Sequence, residues 1–307
     1  MSVSSIAAAL PLPTRDGVGP SCVALPSEGD WPTMLDFLVQ RFPSVARDTW
    51  LSRIAAGDVV DEHGEPVTPS RRYAPRLRLY YYRATGPEPR LPKDELLLHQ
   101  DAHLVVVDKP HFMPVTPSGP YLQQSLLVRL KRRLGIDTLV PLHRIDRATA
   151  GLVLFSTDPA TRGRYQWLFG ERAMHKTYEA IVHWPPGTVL PATYRSRLVP
   201  DDHFMRTREV PGEPNAETHL ALCEVRGRHA RLALAPVTGR KHQLRVHCDA
   251  LGIPIVDDAL YPTLLPYGPD DFARPMQLLA RSLSFVDPFS GERRTFASTL
   301  QLDGWPS

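Results

Sequence analysis

The sequence is poor in cysteine: Cys22, Cys223 and Cys248 are the only three in 307 residues. An odd, scattered set excludes a disulfide framework, and no pair has metal-ligand spacing. A reducing compartment is the simple reading. No apolar run reaches the ~18 residues that mark a membrane span. The N-terminal stretch lacks the basic n-region of a signal peptide. The sequence therefore reads as cytoplasmic, with no membrane association. No G-x-S-x-G is present, so a nucleophile elbow is unsupported, and no Walker A is present. Gly17-Val18-Gly19 is an isolated glycine pair with no strand before it, which does not make a dinucleotide site. A strong excess of one charge is also missing: 36 Lys+Arg stand against 33 Asp+Glu, for a net +3.

Proline is abundant, 32 residues, which implies many fixed loops and few very long helices. A hydrophobic fraction of 42% marks a globular chain, and 307 residues suggest one large domain with a smaller one. Charge is uneven. Residues 125–176 carry ten Lys/Arg and four acids; residues 226–247 carry six basic residues and no acid. Two basic stretches on a near-neutral chain suit either a polyanion-facing surface or a solvated one.

Residues 1–30 show no periodicity and read as a loose tail. Residues 31–85 read as a small module. Met34, Leu35, Leu38 and Val39 give a short helical stripe, and residues 46–55 a second helix. Val59-Val60 and Glu65-Pro66-Val67 flank a turn, and residues 77–82 form a strand. Residues 86–93 hold three of the prolines and read as a linker. Residues 94–307 form the large domain. Strands are expected at 104–107, 152–155, 177–183, 218–225, 231–235, 278–286 and 294–299. Leu122, Leu126, Leu127, Leu130 and Leu134 make a helical stripe. Thr238 is placed to cap a helix bearing Leu244, Cys248 and Leu251. Hairpin-style strands with interspersed helices predict an α+β fold with a mixed sheet.

Twelve histidines invite a metal reading. His242 and His247, however, lie about 140° apart on a helix, on different faces. That spacing counts against a metal site, and so against a His/Asp metallohydrolase.

The informative segment is Pro141-Leu142-His143-Arg144-Ile145-Asp146-Arg147-Ala148-Thr149-Ala150-Gly151-Leu152-Val153-Leu154-Phe155. Asp146 sits between two arginines, just before an apolar strand. A carboxylate beside guanidinium groups stays ionised, and an ionised carboxylate is a competent nucleophile. Arg144 and Arg147 are equally suited to phosphates. On spacing alone, a surface ion-pair cluster explains the same residues.

That segment resembles the signature H-R-L-D-x-x-T-S-G-L-L-L-F of the RluA-type RNA pseudouridine synthases. Collinear blocks extend the resemblance over about residues 100–290. They are residues 104–110 with Pro114-Val115, Lys176-Thr177-Tyr178-Glu179-Ala180, residues 197–205 and 215–218, residues 236–247 against P-x-T-G-R-x-H-Q-I-R-V-H, and residues 278–285. The resemblance implies a mixed, largely antiparallel sheet with flanking helices. It implies that Asp146 is the catalytic aspartate, attacking the target uridine at the ring or at the sugar C1′ without a cofactor. It further implies that Arg245 pairs with Asp146, Tyr178 stacks on the uracil, Leu244 packs the pocket floor and Arg144 fills the gap left by the flipped base. Apart from the resemblance, Tyr178 and Leu244 read as core, Arg245 as a solvent-facing side chain, and His143 as a structural hydrogen-bonding group.

Three departures stand out: Asp108 in place of Asn, Ala150 in place of Ser, and Asp257-Asp258…Tyr261-Pro262 in place of G-D…Y-G. Residues 31–85 resemble the S4 RNA-binding module in part, through Phe42-Pro43, Ile54, Gly57-Asp58-Val59-Val60 and Gly64, with Arg71, Arg72, Arg76, Arg78 and Arg83 as phosphate ligands. The expected activity is isomerisation of uridines in structured rRNA or tRNA. The alternative is a catalytically idle RNA-binding or ribosome-assembly protein on the same scaffold. The expected partner is RNA, with no obligate protein partner, the chain acting as a monomer.

Overall fold

A computed structural model describes residues 10–83, 87–266 and 268–305. Residues 1–9 of the expected tail and residues 84–86, where the small module meets the expected linker, lie outside the described residues. The chain divides into two compact units, residues 1–88 with 130–137, and residues 89–129 with 138–307.

In the first unit, β1 (Ser21–Ala24) is followed by α1 (Met34–Arg41), α2 (Arg47–Ala55), β2 (Val59–Asp61) and β3 (Arg78–Tyr81). Thr33 caps α1: its hydroxyl accepts the Asp36 N–H at 3.1 Å and donates to the Asp36 carboxylate at 2.7 Å. The helices bury Met34, Leu35, Phe37, Leu38, Trp50 and Ile54 against Val59, Leu79 and Tyr81. The strands lie in the order β1-β3-β2. The loose-tail expectation fails at residues 21–24, which pair antiparallel with β3 from Ser21↔Tyr81 to Ala24↔Arg78. Four residues that alternate only weakly between half-buried and exposed give too short a period-2 signal amid Pro and Gly. Leu12, Val18 and Leu25 are also buried.

The second unit runs β4 (Leu96–Gln100), β5 (Leu104–Lys109), α3 (Leu126–Leu134), β6 (Val140–Pro141), β7 (Ala150–Ser156), α4 (Pro159–Gly170), β8 (His175–His183), β9 (Thr193–Pro200), β10 (Thr207–Val210), β11 (Ala216–Arg226), β12 (His229–Pro236), α5 (Gln243–Ala250), β13 (Leu278–Val286) and β14 (Arg293–Ala297). The last residues of α3, expected in the large domain, group with the first unit.

The strands form one mixed sheet in the order β10-β9-β11-β12-β8-β13-β7-β5-β4, with β14 on β13 and β6 on β7. Every pairing is antiparallel except β13 with β7, which meet at Leu279↔Ala150 and Ala280↔Gly151. Gly151 takes φ +106°, and a Cβ there would stand 2.3 Å from the Ala280 carbonyl oxygen. Glycine is therefore a condition of the central strand crossing. β5 and β7 are buried along their whole length, as their unbroken apolar runs require. Asp108, the Asn-to-Asp departure, accepts the Ser298 hydroxyl and the Thr299 N–H, each at 2.7 Å. It thus ties β5 to the chain after β14.

Two local expectations change. α5 begins at Gln243, not after Thr238, because the Thr238 hydroxyl is spent elsewhere. It donates to Gln243 Oε1 at 2.6 Å and accepts the Glu217 N–H at 2.9 Å. α4 was not expected. Its start signal, the Asp158 N-cap followed by Pro159, stands in the sequence, but only Tyr165 and Leu168 are buried, too few for an apolar stripe.

Candidate active site

The loop before β7, strand β8 and the start of α5 converge at the middle of the sheet. There they line a cleft of about 930 Å³. Arg144, Asp146, Tyr178, Leu244 and Arg245, the residues singled out from the sequence, all line it.

α5 is locked before it reaches the cleft. Gln243 Nε2 donates to the Glu217 carbonyl at 2.8 Å and to the Thr218 hydroxyl at 2.9 Å. One turn on, His247 sits between the hydroxyls of Ser196 (3.2 Å) and Thr218 (2.9 Å). Leu244 and Cys248 enter the core beneath β8 and β12. These ties fix the helix that carries Arg245.

Arg245 Nη1 donates to Asp146 Oδ2 at 2.9 Å. Its Nε and Nη2 donate to Asp258 at 2.7 and 2.6 Å. The Arg245 side chain is 4% exposed, that of Asp258 is fully buried, and that of Asp146 is 30% exposed to the cleft. Burial opposes the Asp146 charge, but the charge and hydrogen bond of Arg245, with Lys109, outweigh it and hold the carboxyl below its ordinary value. Burial works against the Arg245 charge as well, and the hydrogen bonds and charge of Asp258, with Asp146, more than restore it. Asp146 therefore presents an ionised oxygen to the cleft.

The arginines that flank Asp146 in sequence are not its partners. Arg147 forms a two-pronged pair with Asp270, at 2.8 and 2.6 Å. Arg144 is exposed and makes no hydrogen bond or ion pair among the described residues.

His242 was not assigned a role from the sequence. It precedes α5 in left-handed backbone, φ 55°, a conformation that a non-glycine residue holds only where its surroundings enforce it. Its Nε2 lies 3.7 Å from Asp146 Oδ1 and its Nδ1 3.0 Å from the Tyr261 hydroxyl. Tyr261 accepts the Thr207 N–H at 2.8 Å and donates to the Thr207 carbonyl at 2.9 Å. Its single proton is thus used, so the imidazole donates from Nδ1 and keeps Nε2 as an acceptor. Burial lowers the His242 pKa to about 4 in spite of Asp146, so the ring is neutral at pH 7. Tyr178 has no hydrogen-bond partner for its hydroxyl among the described residues, and burial, then the Asp146 charge, pushes its pKa up. A ring face with an unspent hydroxyl is fit to stack on a planar ligand.

Behind the carboxylate, Lys109 is buried and donates to the carbonyls of Pro110 (3.0 Å) and Arg147 (3.2 Å). Burial lowers its pKa to about 7, against the pull of Asp146. His143 accepts the Leu154 N–H at 3.1 Å, the structural role expected of it. Among the described residues no group of three or more His, Cys, Asp or Glu is placed to hold a metal ion, and no helix is long and apolar enough to cross a membrane.

Residues 103–250 match the family described as RNA pseudouridylate synthase. The chain is 29% identical over 234 residues to an uncharacterized RNA pseudouridine synthase of Synechocystis, covering 74% of this chain and 79% of that one. It is 34% identical over 209 residues to the dual-specificity RNA pseudouridine synthase RluA of Haemophilus influenzae, covering 65% and 90%. Among solved structures it resembles human RNA pseudouridylate synthase domain containing 4, with a TM-score of 0.52 at 26% identity over 67% of this chain and 88% of that one.

Proposed function

The chain belongs to the RluA-type RNA pseudouridine synthases, and on that premise we propose that Asp146 is the nucleophile with which it isomerises uridines of structured rRNA or tRNA. The observation that carries this reading is the Asp146–Arg245 pair at 2.9 Å on the wall of the cleft. A catalytically idle RNA-binding protein has no use for an ionised carboxylate held at such a wall.

Asp146 attacks the uridine at the uracil ring or at C1′. The N-glycosidic bond breaks, the ring turns, a C–C bond forms between C5 and C1′, and the bond to Asp146 breaks, returning the free carboxylate. N1 gains a proton and C5 loses one, so the reaction balances without a redox partner. Arg245 orients the carboxylate and keeps it ionised. Tyr178 stacks on the extruded uracil and Leu244 floors the pocket. Arg144, without a protein partner among the described residues, occupies the gap in the RNA stack, which offsets part of the few kcal/mol that base extrusion costs.

We read residues 31–85 as an S4-like RNA-binding module. α1, α2 and the β2 turn follow the expected order. Arg71 is withdrawn from the expected phosphate ligands, because Asp61 holds it at 2.5 Å. Arg72 and Arg76 are exposed. Replacing both with Gln is expected to weaken RNA binding and flatten its salt dependence; unchanged binding would remove the module from RNA recognition.

Tritium release from RNA labelled at uridine C5, measured with chelator present, tests the activity. Release is expected. Salt-sensitive binding without release would favour the idle reading, and release lost to chelator would favour a metal enzyme.

A further inference from the structure

One guanidinium serves two carboxylates, and it serves them unequally. Asp258 receives two N–H groups from Arg245 in a bidentate grip, whereas Asp146 receives one. Asp258 is itself immobilised: its Oδ1 accepts the backbone N–H of Leu260 at 2.8 Å and of Tyr261 at 3.3 Å. The Tyr261 ring lies 5.2 Å from the Arg245 guanidinium carbon, and its hydroxyl contacts His242. The short segment 258–261 thus fixes both α5-side groups that face Asp146.

We propose that Asp258 is a positioning residue of the reaction: it occupies the bidentate edge of Arg245 and neutralises its charge, so that Asp146 is oriented by a single N–H and keeps its other oxygen for the substrate. This rests on Asp146 being the nucleophile. A guanidinium left to itself engages a carboxylate through both prongs. Turned that way onto Asp146, it would tie up both oxygens and add an uncompensated positive charge, lowering the nucleophilicity the reaction needs. Asp258 removes that option because its own claim on Arg245 is the stronger, with two short bonds in a fully buried setting.

The charged and titratable groups around the pair come from several elements. Arg245 and His242 face Asp146 from α5 and the residue before it, Lys109 from the end of β5, and Tyr178 from β8. Arg245, His242, Cys248, Asp249 and Tyr261 surround Asp258. Among them only Arg245 touches both carboxylates.

The test compares the full chain with Asp258→Asn, Asp258→Glu and Asp146→Asn, reading kcat by tritium release, RNA affinity by titration, and the pH profile of kcat. Asp258→Asn is expected to lower kcat at least 30-fold with RNA affinity within twofold. The acid limb of kcat is expected to move to lower pH, because the uncompensated guanidinium favours the ionised form of Asp146. A merely structural role would reduce the folded fraction without moving that limb. Should Asp258→Asn fail to fold, Asp258→Glu carries the test. It keeps the charge but displaces the guanidinium by one methylene, and a fall in kcat of at least fivefold at unchanged affinity is expected. Wild-type kcat in whichever variant folds, or an unmoved acid limb in Asp258→Asn, overturns the proposal. Activity in Asp146→Asn would instead overturn the reading of the nucleophile, whereas a dead Asp146→Asn beside a wild-type Asp258→Asn would overturn the positioning role alone.

Discussion

At the scale of single residues, Asp146 draws its charge stabilisation from far along the chain. Arg245 is 99 positions away, whereas the adjacent arginines point elsewhere. This separates the flanking pair experimentally. Arg144→Ala is expected to leave stability within about 0.5 kcal/mol, since its exposed side chain has no hydrogen-bond or ion-pair partner among the described residues, and to reduce turnover on RNA. Arg147→Ala is expected to cost about 1 kcal/mol through the loss of its two-pronged bond to Asp270, a figure kept low because Arg147 is 38% exposed. Urea midpoints and tritium release on both variants check the contrast. Asp146 and Arg245 were legible in the sequence through their motif blocks. Asp258 and Tyr261 lay between the matched blocks and read only as part of a loop departure. Nothing in a linear sequence tells which of two carboxylates an arginine grips with both prongs.

At the scale of elements, the cleft depends on the parallel meeting of β7 with β13 and on the start of α5. Gly151 is the tightest point of the first. Gly151→Ala combines a left-sided φ with a backbone clash, and about 3 kcal/mol or more of destabilisation is expected. A urea midpoint near wild type would mean that the two strands can part without cost. Runs such as 152–155 and 278–286 were readable because they are rich in apolar residues. β1 was not, being four residues long at a sheet edge. The start of α5 was misread because capping chemistry at Thr238 looks the same in sequence whether its hydroxyl meets a helix amide or, as here, Gln243 and Glu217.

At the scale of the whole molecule, the second unit keeps several histidines neutral. Burial lowers His111, His242 and His247 to about 4 and His143 to about 3. A histidine held neutral in the fold binds a proton less readily than in the unfolded chain. Between the unfolded value near 6.5 and the folded values near 4, the unfolded state holds more protons, so stability falls as pH falls. For fully buried His247 alone the loss between pH 7 and pH 5 is about 2 kcal/mol. Urea midpoints at both pH values are expected to show a steep decline that His247→Gln makes shallower; equal slopes would show that the ring is charged in the fold. The burial of His247 was not visible in a count of twelve histidines, because it comes from α5 packing against β9 to β12.

The central claim is that one carboxylate does the chemistry, and nucleoside analysis of RNA incubated with wild type and with Asp146→Asn tests it most directly. Wild type is expected to convert uridine to pseudouridine, with C5 tritium released in step. Asp146→Asn is expected to bind the same RNA with similar affinity and to form none. Pseudouridine in the Asp146→Asn reaction would contradict the account.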